Sequence, residues 1–263
     1  MAEILEPSPF MRTPVEIRLM IYDLLLNDNG NKTFSIRSQP PETYKSRGKH
    51  RRTGYRILGG VFKRQRLPTT YHLTTNANLH SNILCTSRAI YEEAWHLLYA
   101  KRSFDFGEDI DAIVPFLSDL TPTTRSLIEE ISLTKQGYLH TQREERMDWR
   151  SVCLYLSHNM KLRKLILRVI GGRSSRGWED LPVYTDISFT TLASVRFEGT
   201  EWVEDLTCVK LQELEVIPQI EHIPETTIAP TDFFKAFSAS IDKGFTDYLR
   251  MKMVLPTSAS IQW

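Results

Sequence analysis

The sequence predicts an α/β protein, with an α+β N-terminal part followed by a short solenoid of parallel strands closed by a C-terminal helix. Two observations carry that expectation. An apolar-x-x-apolar-x-apolar pattern recurs four times between Ile128 and Val216, and amphipathic segments at helical spacing precede, separate and follow those units. The composition agrees. Hydrophobic content of 41% and charged content of 25% over 263 residues are ordinary globular values that permit a large core.

The first element is the stretch TPVEIRLMIYDLLL, residues 13–26. Thr13 is placed to cap a helix, Pro14 occupies a first position that needs no N–H, and Glu16 completes a capping box. Ile17, Met20, Ile21 and Leu24/Leu25 fall on one face. Asn27-Asp28-Asn29-Gly30-Asn31 then supplies turn chemistry. A helix of about 13 residues is not stable alone, so its apolar face must dock, either on the chain itself or on a partner.

A basic insert follows. Residues 31–80 hold eleven basic residues against the single acid Glu42, within a chain of net charge +1, so the remainder carries 22 basic and 31 acidic residues. Within the insert YRILGGVF reads as a short hairpin. Lys49, Arg51 and Arg52, followed by Lys63, Arg64 and Arg66, have the layout of a bipartite nuclear import signal. Two other readings stay open: an anionic partner, of which nucleic acid stacked on Tyr44, Tyr55 or Tyr71 is the less favoured, and a loop kept soluble by charge.

Order resumes at NILCTSRAIYEEAWHLLYAKRSFDF. Ile83, Ser87, Ile90/Tyr91, Ala94 and Leu97/Leu98 follow a helical stripe with Arg88, Glu92 and Glu93 outside, and residues 103–106 alternate like a strand. DIDAIVPFLSDL is a second amphipathic helix. Then come Ile128-x-x-Ile131-x-Leu133, Leu162-x-x-Leu165-x-Leu167, Leu192-x-x-Val195-x-Phe197 and Leu211-x-x-Leu214-x-Val216, whose first positions lie 34, 30 and 19 residues apart. This is the strand core of a leucine-rich repeat, degenerate because its spacing is irregular and the Asn/Cys ladder position is missing. MDWRSVCLYLSHN is a crossover helix between the first two strands. Thr231 caps a last helix whose Phe233, Phe234, Phe237, Ile241, Phe245 and Leu249 cover the open solenoid end.

No chemistry of the chain's own is expected. Cys85, Cys153 and Cys208 are odd in number and far apart, with no CxxC, HExxH or other metal spacing, so reduced cysteines and no metal are expected. Glu92-Glu93, Glu129-Glu130 and Glu144-Glu145 are adjacent pairs that point apart on a helix. The loop from Gly171 to Gly177 lacks the Lys-Ser/Thr of a phosphate-binding loop. No cofactor and no catalytic residue are expected. The N-terminus lacks the basic flank and apolar run of a secretory signal, and no apolar run approaches the roughly 20 residues of a bilayer span. A soluble intracellular protein of nucleus and/or cytoplasm, not secreted and not membrane-bound, is expected.

PVEIRLMIYDLLL followed by ILCTSRAIYEEAWHLLYAKRSFDF resembles the fungal F-box-like proteins, and also looks like the related two-EXR family. Glu16-Ile17-Arg18 fits the first Glu-x-Arg triplet, while Thr86-Ser87-Arg88 stands at the second and favours the F-box-like side. The resemblance implies an F-box-like helical module over residues 10–106, interrupted by the basic loop 31–80, and a repeat-like α/β domain over 107–263. It implies a Skp-type adaptor of a cullin-based ubiquitin ligase as partner and an unknown protein substrate held by the solenoid. Pro14, Ile17, Met20, Ile21 and Leu25, with Cys85, Arg88 and Ile90 in the second helix, are then the partner-binding candidates. The alternative is a stand-alone nuclear interaction or regulatory protein whose N-terminal helices pack on each other as core.

Overall fold

The computed structural model describes residues 8–26, 32–38, 51–58, 61–68, 71–74, 79–137, 143–173, 182–195, 200–222 and 229–256. Among them are nine α-helices and eight strands. The N-terminal part contributes α1 (Val15–Leu26), β1 (Thr33–Ser38), β2 (Arg51–Leu58), β3 (Val61–Pro68), β4 (Tyr71–Leu73) and α2 (Arg88–Ala94). Next come β5 (Ser103–Asp105), α3 (Ile110–Asp119), the single turn α4 (Pro122–Arg125), β6 (Glu130–Gln136), α5 (Arg143–Asn159) and β7 (Lys164–Arg173). The chain continues through α6 (Asp186–Ser194), α7 (Glu201–Leu206), β8 (Glu213–His222), α8 (Ala229–Ala239), a kinked turn Ile241–Phe245 with non-helical backbone angles at Lys243, and α9 (Thr246–Met253).

A six-stranded sheet in the order β4-β1-β5-β6-β7-β8 organises the molecule, and β2 pairs with β3 as a separate hairpin. Within the six-stranded sheet, pairing is antiparallel only between β1 and β4; β1, β5, β6, β7 and β8 run parallel. The parallel strands lie side by side in chain order, and the sheet runs across the residue 106/107 boundary expected from the sequence. The chain is thus mixed α/β with a mostly parallel sheet, as the apolar pattern requires.

The two faces of this sheet differ. Phe104, Ile131, Leu165 and Leu214 sit in register on neighbouring strands, and all are at most 4% exposed. They form one core with Ile113 and Leu117 of α3, Trp149 and Leu156 of α5, Trp202 of α7, Phe237 of α8, and Phe245 and Leu249 beyond it. The alternate residues Asp105, Glu130, Ser132, Thr134, Lys164, Arg168, Glu213 and Glu215 are polar, and none belongs to that core. Parallel sheets are ordinarily covered on both faces and read as continuous apolar runs. Here the second face is rich in polar residues, although Ile166 and Ile170 of β7 share it and Ser132, Thr134, Asp105 and Ile170 on it are themselves buried.

Four local expectations are corrected. Thr13 does not cap α1: its hydroxyl donates to the Phe10 carbonyl at 2.7 Å, closing the 3-10 turn Phe10–Arg12, and Pro14 O accepts from the Ile17 and Arg18 N–H groups. The helix expected over residues 83–98 is broken, because Ser87 Oγ accepts from Ile90 N and starts α2 only there, after a 3-10 turn at Ser81–Cys85. Leu192 and Val195 are not strand residues. A capping box between Thr185 and Ser188 starts α6 through that segment, Leu192 lies in the helix and Val195 is 65% exposed at its end; Phe197 lies outside the described residues. Lastly, Thr231 lies inside α8, which begins at Ala229, rather than ahead of it.

Candidate functional site

The N-terminal helices join through a charged clasp. Arg18 of α1 donates from Nε to Glu93 Oε2 at 2.9 Å and from Nη2 to Oε1 at 2.6 Å, a bidentate pair with α2. Its Nη1 donates to the carbonyls of Met11 and Thr13, and Tyr22 Oη donates to Glu93 Oε2 at 3.1 Å. Planar guanidinium matches carboxylate geometry, so this pairing fixes orientation as well as distance. The hydrogen bond from Arg18 holds the Glu93 carboxyl below its ordinary range. Around the clasp Tyr22, Leu26, Ile90 and Ala94 form a second small core, with the Phe10 ring edge-on to Tyr22. The C-terminal carbonyls of α1 are also taken: His80 N donates to Leu25 O and Arg102 Nη2 to Leu26 O.

Because positions 18, 22 and 26 turn inward, the expected apolar face of α1 turns outward. Ile17 is 46% exposed, Met20 63% and Leu24 77%, while Ile21 and Leu25 are half-buried along the side. On a helical wheel Ile17, Met20, Ile21 and Leu24 make one contiguous stripe, bordered by Glu16 and Asp23. Pro14 is exposed at its head. On the second helix, Cys85 is exposed, Arg88 is exposed and paired with Glu92 at 2.8 Å, and Ile90 is buried in the small core. Ile90 is therefore occupied by the fold itself. The expectation that Glu93 lies outside with Arg88 and Glu92 is corrected, because its carboxylate is held in the clasp by Arg18 and Tyr22, and sequence reasoning singled out neither of those two, although all three lie in the stretches that carry the family resemblance.

Of the basic candidates, Lys49 lies outside the described residues. Arg51 and Arg52 are in β2 and Lys63, Arg64 and Arg66 in β3, so the expected hairpin is present. Thr53 pairs with Arg66, Tyr55 with Arg64 and Arg56 with Lys63. Arg51 and Arg52 pair with Pro68 and Leu67, so the two clusters lie on neighbouring strands without standing opposite each other.

The polar sheet face has its own organising group. Asp105, 8% exposed at the end of β5, accepts from Arg37 Nη2 at 2.6 Å and from Arg168 Nη1 at 2.7 Å. Arg168 also donates to Ser132 Oγ, and Arg37 to the Asp105 carbonyl. Burial, the largest single influence on Asp105, pushes its carboxyl up; the two arginines together outweigh it and hold the group below the ordinary range. Towards the other end, Lys164 bridges Glu213 at 2.9 Å and Glu215 at 2.8 Å. The charges are thus compensated within two groups, one on Asp105 and one on Lys164.

Among the described residues no group of three or more His, Cys, Asp or Glu side chains is arranged to hold a metal ion, and no helix is long and apolar enough to cross a membrane. No curated protein and no solved structure matches the chain. A family described as a domain of unknown function, DUF7730, matches residues 5–192, a span that takes in the clasp, the open α1 stripe and the first four of the five parallel strands. The chain belongs to that family.

Proposed function

We propose that this protein is an interaction protein that works as an F-box-like substrate receptor: the outer face of α1 engages a Skp-type adaptor of a cullin-based ubiquitin ligase, and the repeat-like sheet holds a protein target. The reading assigns no chemistry to the chain itself. The observation that carries it is the stripe Ile17/Met20/Ile21/Leu24, left open although α1 is fully anchored through its other face. Contiguous apolar surface on a soluble fold is costly to expose and marks contact sites. Co-purification with the adaptor tests the reading: Met20→Asp together with Leu24→Asp abolishes capture while the protein stays folded. Undiminished capture by that variant removes α1 as the docking face.

A second reading has its own support in the clasp and the hairpin. Arg18, Tyr22, Leu26 and Ile90 are core, as a stand-alone nuclear interaction protein would require, and the paired basic strands offer a surface for an anionic import receptor. Replacing Arg51, Arg52, Lys63 and Arg64 by alanine then disperses a nuclear fluorescence signal through the cell. An unchanged distribution sets the import reading aside.

A further inference from the structure

A hydroxyl residue is followed by proline three times in the chain, at Ser8-Pro9, Thr13-Pro14 and Thr121-Pro122. The first two stand together just ahead of α1, and their hydroxyls brace one small structure. Ser8 Oγ accepts from Met11 N at 3.4 Å and Ser8 O from Arg12 N at 3.2 Å, while Thr13 Oγ1 donates to Phe10 O at 2.7 Å. The 3-10 turn Phe10–Arg12 is thus held by a hydroxyl at each end, and no residue of it is buried. Ser8, Pro9, Arg12, Pro14, Val15 and Glu16 are exposed. Thr13, half-buried, has the extended backbone that a following proline imposes, with φ −72° and ψ 150°.

An accessible hydroxyl residue in extended backbone, followed by proline, is the form in which proline-directed protein kinases take their substrates. We propose that Ser8 and Thr13 are phosphoacceptors for a kinase of this class, and that Arg18 receives the phosphate on Thr13. In the transfer the hydroxyl oxygen bonds to the γ-phosphorus of ATP and the bond from that phosphorus to the β–γ bridging oxygen breaks. ADP leaves, and the hydroxyl proton passes to the kinase's carboxylate base. The receiving group is already in place. Arg18 turns Nε and Nη2 to Glu93, and Nη1 to the carbonyls of Met11 and Thr13. Its Nη1 edge therefore lies against Thr13 and meets a phosphate there without surrendering Glu93. The exchange gives up the neutral hydrogen bond to Phe10 O for a charge-assisted one, at the positive end of α1. Phosphate on Thr13 thus tightens the clasp between α1 and α2, whichever partner α1 serves.

The full chain carrying Thr121→Ala, incubated with ATP and a purified mitogen-activated protein kinase, tests this by site-resolved mass spectrometry, melting midpoint and phosphorus NMR titration. The expected result is phosphate on both Ser8 and Thr13 of the folded chain. With Ser8→Ala added, phosphate on Thr13 alone raises the midpoint by about 2–4 °C. That phosphate also gives up its second proton at lower pH than it does in a phosphorylated peptide of residues 8–16, which lacks Arg18. No phosphate on Thr13 overturns the proposal. So does a phosphate on Thr13 that leaves the midpoint unchanged or lower, or that titrates as it does in the peptide.

Discussion

Arg18 decides which way α1 faces. A buried guanidinium is tolerated only where its donors are met, and here two go to Glu93 and others to carbonyls of Met11 and Thr13. Arg18→Ala strips the carboxylate of its partner and also leaves Tyr22 bonded to an uncompensated charge. It is expected to lower the melting midpoint clearly, whereas Arg88→Ala, which breaks a pair 91% exposed on the arginine side, changes stability by no more than about 0.5 kcal/mol. Glu93 and Asp105 both have carboxyls held below their ordinary values in the folded state, so their contribution is complete above the unfolded range of about 4 and is lost as pH falls through the folded values. Acid titrations of the melting midpoint should therefore show a limb below about pH 4 that is shallower in Glu93→Gln. Gly107 is a second decisive position. Its φ is +55°, and the Arg37 guanidinium stands 3.1 Å from where a Cβ would be. Gly107→Ala should cost about 1–2 kcal/mol in urea denaturation, more if Arg37 is pushed off Asp105.

At the scale of elements, α1 is a helix with two usable apolar faces, and the structure uses one. Leu26→Ala opens the small core and should destabilise by about 2–5 kcal/mol, while Leu24→Asp on the outer stripe should stay within about 0.5 kcal/mol in the same denaturation series. This difference was not legible in the sequence. Hydrophobic spacing favoured Ile17, Ile21 and Leu24 as the packed side, and nothing local reveals that a charged residue at 18 has its carboxylate 75 positions away. Similar reasons separate the elements that were legible from those that were not. Helix α5 and strands β6, β7 and β8 follow directly from periods of 3.6 and 2. The Leu192 unit fits the strand pattern equally well, but Thr185 and Ser188 satisfy the first free N–H groups of a helix, and that capping prevails.

At the scale of the molecule, one face of a parallel sheet holds the core, and the other carries two separate groups of paired charges, Arg37 and Arg168 on Asp105 and Lys164 on Glu213 and Glu215. The alternation that produces this was visible in the sequence; the identity of the charge partners was not, since each pair spans different strands. The α1 stripe proposed for the adaptor borders the small Tyr22/Leu26/Ile90 core, and the charge-paired sheet face belongs to the elements of the large one. A change on one should leave the other folded and functional. The most direct measurement is a binding titration of the purified protein with a Skp-type adaptor, comparing the natural chain with the Ile17→Asp, Met20→Asp, Leu24→Asp triple variant and recording the melting midpoint of each. Binding by the natural chain, weakened at least about tenfold in the triple variant at unchanged midpoint, is the expected result. No binding by the natural chain, or equal binding by the variant, would contradict it.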